Sequence, residues 1–363
     1  MAIPLNVLAF AEQNKMKDMI DAFRDMYNEY QSVEYGKKVT FDTSKSFEEK
    51  NEKLHNSMLD KIKEMSGVTY TGFSDVKLAT NPLFTWATFA VIGALIDSIL
   101  PDTVISDFGR FADVRVGGFG DSFKFDIKPS DLFIVTKSGR GKRNSFAQRQ
   151  YNGSVTLIPE NHTVTVGEDV YRILANKGNL AEYATKIVKS FETEMAYDIY
   201  FAINSTYDNL PTQFKEASFD DTTFVKLAQK IAAFNGGAKP IAFGTKVALS
   251  SVVPNNVIYN DRLGEDYYRT GYLGNYRGVD LFEMGQKADW TSSTYALKLD
   301  DTRIYLVSTS HDKLVKVAIE GETLNFGDSA IDANANLTQT NTLHKAYACD
   351  LISNAYFGIV DLA

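Results

Sequence analysis

The sequence predicts an α+β protein organised around one very long helix. Three observations carry this reading. Apolar residues recur every four positions from Tyr183 to Ile203, alternating strands precede that run, and a strand–helix lobe with a strand-rich tail follows it. The 363 residues suffice for two or three lobes around a substantial core. A composition of 44% hydrophobic and 23% charged residues excludes a mostly disordered chain. The net charge of −8 argues against a protein that coats nucleic acid by neutralising phosphates.

Residues 1 to about 67 are rich in Lys, Glu, Asp and Met. Helical spacing at Met19, Phe23, Met26 and Tyr30, and again at Leu54, Met58, Ile62 and Met65, predicts two helices separated by "EYGKKVTFDTSKS". Their apolar stripes are thin, so the segment is expected to lie against something else as an arm. The opening "MAIPLNVLAFAEQNK" has no basic region followed by a long apolar one, and export by a classical route is not expected. Leu83 to Leu100 is the most apolar run. Asp97 interrupts it, leaving about 14 apolar-leaning residues where a membrane span needs about 20, so a buried helix is predicted.

From Val104 the pattern becomes extended. Phe123, Phe125 and Ile127 alternate, "DLFIVTK" reads as a further strand, and Asn152-Gly153 is a hairpin turn signal because both residues tolerate positive φ. Between them Lys137, Arg140, Lys142, Arg143 and Arg149 stand without one acid. Residues 115–168 therefore read as a long two-strand excursion with a basic tip. With little to bury it must lean on a neighbour.

Asn179 and Glu182 form a capping-box arrangement at the start of the long helix, and Pro211 bounds its far end. About 26 residues give a length of roughly 39 Å. "DTTFVKLAQKIAAFNGG" is a helix capped by Asp221 and closed by Gly236-Gly237. "KPIAFG" is a buried strand, "TKVALSSVV" a short helix, and Tyr267 to Met284 a tyrosine-rich loop leading into the strand "VDLFEM". With the strand "TRIYLVST" after it, this alternation makes an α/β lobe at about 219–302. Further strands follow in "KLVKVAIEG", "ETLNFG" and "LHKAYACDLISNAYFGIVDL".

Catalytic patterns are missing. "VGGFGDS" breaks the spacing of a dinucleotide-binding turn, and "SGRGKRN" has Thr136 where a phosphate-binding loop needs glycine. Asp332, Asn334 and Asn336 begin like a calcium loop, but Leu337 and Leu343 occupy its glycine and glutamate positions. Asp220-Asp221 and Asp300-Asp301 read as a helix start and a strand turn. Cys349 reads as a small buried apolar residue, and a single cysteine excludes an intramolecular disulfide. No enzyme, cofactor or metal is expected.

The order of elements carries a resemblance. "FADVRVGGFGDSFKFDI", "AEYATKIVKSFETEMAYDIYFAI" and the glycine-led strand Gly278-Val279-Asp280-Leu281 resemble, in turn, the arm into the extended E-loop, the spine helix of the peripheral (P) domain, and the axial (A) domain of tailed-bacteriophage major capsid proteins, the Hong Kong 97 fold. The resemblance covers about residue 75 to the end. It implies an N-terminal helical region at 1–70, an N-arm at 71–114, the E-loop at 115–168, the P domain with its spine helix at 169–218, the A domain at 219–302, and returning P-domain strands at 303–363. The implied function is assembly into pentamers and hexamers of an icosahedral shell enclosing double-stranded DNA, without sequence-specific binding and without a membrane.

Implied partners are further copies of the chain, a portal, scaffolding and decoration proteins, and the implied location is the virion capsid, assembled in the host cytoplasm. The basic tip (Lys137, Arg140, Lys142, Arg143, Arg149) and the lobe's tyrosine loop (Tyr267, Tyr268, Tyr272, Tyr276, Arg277) are the expected subunit contacts. Tyr272 and Tyr276 are expected to be dispensable for folding. One branch of the family crosslinks a lysine to a distant asparagine. Lys137 or Lys142 with Asn354 would fill those roles, but no motif supports this and they read as ordinary surface residues. An encapsulin-like nanocompartment and an uncharacterised α/β enzyme with its site in 219–302 are the alternatives.

Overall fold

A computed structural model describes residues 5–35, 37, 39–67, 81–127, 129, 132–137, 139–140, 146–169, 179–253, 261–308, 312–327 and 338–362. Lys142, Arg143 and the Asp332–Asn336 run lie outside them.

Three helices open the chain where two were expected: α1 (Leu5–Gln13), α2 (Lys17–Tyr35) and α3 (Phe47–Ser66). Ser46 caps α3 by accepting from the Glu49 N–H, and Gly67 ends it in the left-handed region at φ 64°. The thin stripes are fully used within the subunit. Phe23, Met26, Tyr27, Met58 and Ile62 are buried with helix α4 (Pro82–Phe108) in one core.

Helix α4 departs from expectation, since Val104–Phe108 is helical and not extended. It runs through Pro101, where the ring removes one backbone bond. Nearby carbonyls find side-chain donors: Arg24 Nη2 donates to Ser98 O at 3.3 Å, and Thr103 Oγ1 to Ile99 O at 2.9 Å. The expected N-arm at 71–114 thus contains a 27-residue core helix. That helix is long and apolar enough to pass for a membrane span, yet most of it is inside the protein.

After α4 come β1 (Ala112–Gly117), β2 (Phe123–Ile127), β3 (Gly153–Leu157) and β4 (Glu160–Asp169), then the long helix α5 (Leu180–Asn204). Asn179 caps α5 through the N–H groups of Ala181 and Glu182, as predicted. A third free N–H, from Leu180, donates to His55 Nδ1 of α3 at 3.1 Å. Strand β5 (Lys215–Glu216) precedes α6 (Asp221–Phe234), whose cap is Asp220 and not Asp221. Then follow β6 (Pro240–Gly244), α7 (Lys246–Ser250), α8 (Asp261–Thr270), β7 (Asn275–Tyr276), β8 (Val279–Glu283), β9 (Arg303–Ser308), β10 (Val315–Glu320), β11 (Leu324–Gly327), β12 (Thr338–Leu351) and β13 (Gly358–Asp361).

Two sheets flank the helices. One has the order β1-β10-β12-β11, with β4 also on β12; the 14-residue β12 pairs with β4 over Thr338–Tyr347. The other has the order β5-β13-β9-β6-β8-β7. Strand β9 lies in the lobe's sheet, as its place in the alternation suggested, although the boundary expected at 302 cut it off. Strand β13 was expected among the returning strands of 303–363 and lies instead in the lobe's sheet, paired with β9. The lobe has its own core of Phe224, Leu249, Tyr276, Leu281 and Leu306.

Two buried charges tie these layers together. Asp97 of α4 meets the fully buried Lys345 of β12 and accepts from the Thr323 N–H at 2.8 Å, while Lys345 Nζ also donates to Gly321 O at 3.0 Å. Glu192, in the middle of α5, accepts from Tyr27 OH (2.5 Å), Gln31 Nε2 (2.7 Å), Lys189 Nζ (3.0 Å) and Lys37 Nζ (3.1 Å). Burial opposes its charge, but the two lysines and these donors outweigh burial and hold the carboxyl down at about 2. At Lys37 the attraction of Glu192 and Asp107 likewise overcomes burial and raises the ammonium, whereas at Lys189 burial wins and lowers it.

Asp97→Asn leaves the Lys345 ammonium without its counter-charge, and the expected cost is about 3–5 kcal/mol in urea unfolding. The double substitution Asp97→Leu/Lys345→Met should recover most of it; a single variant unfolding within about 0.5 kcal/mol of the parent would refute this account. Glu192 has a depressed folded pKa. Its contribution is therefore complete above the ordinary carboxyl value of 4.5 and drains away as pH falls towards about 2. Amide protection factors in α2, each taken relative to the intrinsic exchange rate at that pH, should fall across that window in the parent and show a weaker pH dependence in Glu192→Gln.

Candidate assembly surfaces

Strands β2 and β3 pair from Phe123↔Leu157 to Ile127↔Gly153 and form the root of the excursion. Phe123, Phe125 and Leu157 bury one face of this ribbon against Ala318 and Ile352. The Arg115 guanidinium stacks 4.2 Å from the Phe125 ring centroid. Beyond the root there is no ladder among the described residues. Gly153 pairs with Ile127 across the whole excursion, so Asn152-Gly153 is not the turn of a local hairpin, and "DLFIVTK" is not a strand. One side chain bridges the two legs: Gln148 accepts from the Ile134 N–H and donates to the Ile134 carbonyl, both at 2.8 Å.

Lys137, Arg140 and Arg149 are exposed and make no ion pair among the described residues. Beside them lie Leu132 (83% exposed), Phe133, Ile134 and Val135 (92% exposed), with Phe146 and Tyr151 on the returning leg. This apolar run was expected to be a strand of an excursion with little to bury, and its exposed large side chains were not singled out. Four consecutive large apolar residues beside five bases were the available signal. A groove of about 720 Å³ separates the legs from Phe234, Asn354 and Tyr356.

The tyrosine stretch is less of a loop than expected. Tyr267 and Tyr268 belong to α8, with Tyr267 OH donating to Ser250 O at 3.2 Å and Tyr268 exposed. Tyr272 is half-buried, and burial pushes its hydroxyl up. Arg277 and Gly278 form the two-residue turn between β7 and β8, both at positive φ (49° and 88°), the geometry that matches strand twist in a tight hairpin. That turn aims Tyr276 inward. The residue is 3% exposed, with its ring set edge-on against Phe219 and Phe224 at centroid distances of 5.9 and 5.7 Å. The expectation of a wet interfacial tyrosine is therefore corrected at Tyr276, which is a core residue. Arg277 is engaged too, pairing with Asp221 at 2.6 Å.

A family model described as "SPbeta prophage-derived putative capsid protein YonB" matches residues 32–361. The chain belongs to this capsid protein family. No curated protein matches it. Among solved structures it is similar to the head of Helicobacter pylori bacteriophage KHP40 (13% identity, 70% of this chain and 90% of that one, TM-score 0.47). Others are the capsid of cyanophage P-SCSP1u (12%, 70% and 88%, 0.46) and a virus-like particle from Pyrococcus furiosus (11%, 73% and 98%, 0.41).

For a phage capsid protein, a shell component of the virion, the two surfaces differ in kind. The excursion offers apolar and basic groups that the subunit does not cover. The lobe's tyrosine stretch spends most of its rings internally and leaves Tyr268 outside. Nothing among the described residues gathers three potential metal ligands. The adjacent carboxylates have structural partners: Asp220 caps α6, Asp300 accepts from Thr302, and Asp301 accepts from Gln286. Burial pushes the Cys349 thiol up, away from a nucleophilic thiolate.

Tyr276→Ala should remove about 3–5 kcal/mol of folding free energy by emptying the Phe219–Phe224 contact, and Tyr268→Ala should change it by less than about 0.5 kcal/mol. Urea titrations of the purified subunits compare the two, and equal midpoints would contradict the core placement of Tyr276.

Proposed function

We propose that this chain is the major subunit of a tailed-phage shell, assembling into pentamers and hexamers around double-stranded DNA. The uncovered run Leu132–Val135 carries the reading. Contiguous apolar surface of this kind on an extended excursion marks an interaction site, and in a capsid family its natural cover is the next subunit. In this reading residues 115–168 act as the E-loop laid over a neighbour, and the tip of 219–302, with Tyr268 and α8, turns towards the capsomer axis. The basic residues of the excursion meet the acidic remainder of a chain of net charge −8, which supplies complementary charge between copies. The same negative balance lets DNA pack inside without adhering. Portal, scaffolding and decoration proteins are the further partners of such a shell, and no catalytic step is assigned to the chain.

Negative-stain microscopy of the expressed protein tests the proposal. Closed shells, tubes or capsomer rings are expected, and persistent monomers at high concentration would sink it. The variant Phe133→Asp/Val135→Asp should unfold at the parent's urea midpoint and yet form no particles.

A further inference from the structure

Residues 288–297 form a small protruding hairpin on the long helix. Ala288 and Leu297 make the bridge, and the Asp289 N–H donates to Ala296 O at 2.9 Å. Its base is anchored: Lys298 pairs with Glu194 of α5 at 2.6 Å and lies 4.7 Å over the Tyr197 ring, and Gln286 donates to Leu299 O at 2.8 Å. Its tip is tied by Asp289 Oδ1, which accepts from the Thr291 N–H (3.0 Å) and hydroxyl (2.6 Å). On this ordered tip Trp290 is 90% and Tyr295 94% exposed. Tyr295 also sits at φ 55°, a left-handed conformation that costs a bulky residue on the order of 1–3 kcal/mol. The hairpin thus holds two large aromatic rings in water at a conformational cost and returns nothing to the subunit's own core.

We infer that this hairpin is the seat for a second copy of the chain, with Trp290 and Tyr295 of one subunit receiving the Leu132–Val135 run of the next. The inference rests on the shell reading above and names the contact within it. Both surfaces are apolar, uncovered and carried on the same chain. Their charges are complementary: Asp289, whose carboxyl the Thr291 hydrogen bonds hold below its usual range, stands at the hairpin tip, while Lys137 and Arg149 flank the run. Two aromatic rings of this size can remove about 150–250 Å² each from water. The two surfaces are different patches, so the contact is heterologous, and repetition around a rotation axis closes it into a ring.

Cysteine pairing tests the seat. In particles of Val135→Cys/Tyr295→Cys, oxidation should give a ladder of linked chains in denaturing electrophoresis, with none from either single variant. Particles that form without a ladder, a link confined within one chain, or dimers from Tyr295→Cys alone would each overturn the seat while leaving the shell reading standing. Failure of the parent chain to form particles would remove the shell reading itself, and the seat with it. If only the double variant fails to assemble, Trp86→Phe particles decide, because Trp86 and Trp290 are the chain's two tryptophans. Emission shifting to shorter wavelength on assembly supports the seat, and emission unchanged from the free subunit overturns it.

Discussion

A carboxylate buried halfway along helix α5 constrains everything packed against it. Glu192 cannot stay charged in apolar surroundings unless donors are brought to it, and its own helix supplies only Lys189. The rest come from Tyr27 and Gln31 on α2 and from Lys37 beyond its end, with Asp107 of α4 balancing the second lysine. Helix α2 and Lys37 therefore have one placement that satisfies the site. Asp97 and Lys345 do the same between α4 and the sheet. Satisfied polar networks of this kind fix position among layers that hydrophobic contact alone would let slide. The N-terminal helices are in consequence an integral layer of the subunit, not an appendage.

Much of this architecture was legible in the sequence wherever one element's pattern sufficed. The period of four from Tyr183 to Ile203 and the Asn179 cap located α5 nearly to the residue, and alternation located β2. Legibility failed where a long-range partner overrides the local signal. Asp97 reads as a break in an apolar run until Lys345, 248 positions away, is beside it. Val104–Phe108 reads as extended until α4 is seen to run through Pro101, where Arg24 and Thr103 serve the neighbouring carbonyls. Strand β13 carries no mark in its own sequence of the sheet it joins, which is set by its long-range pairing with β9.

The surfaces were harder still to read. A tyrosine in sequence is the same letter whether its ring faces a core or a neighbour. The tight turn at Arg277-Gly278 decides in favour of the core at Tyr276. Conversely, "DLFIVTK" and "DWTSSTYAL" contain large apolar residues that the fold leaves outside; the first signals this by the bases around it, and the second carries no such mark.

Strand β12 has a mechanical meaning. It is antiparallel to β4 along ten consecutive register positions, from Thr338↔Asp169 to Tyr347↔Glu160, and continues without interruption into its pairing with β10. The excursion hangs from β4. A pull on the excursion along the strand direction is thus carried by the whole ladder in shear, all its bonds sharing the load, instead of opening them one after another. The load passes on through Lys345 and Asp97 to α4. Tension between neighbouring tiles would then be borne by the middle of each tile and not by its rim, which is the behaviour wanted of a thin wall that must not tear when pushed from within.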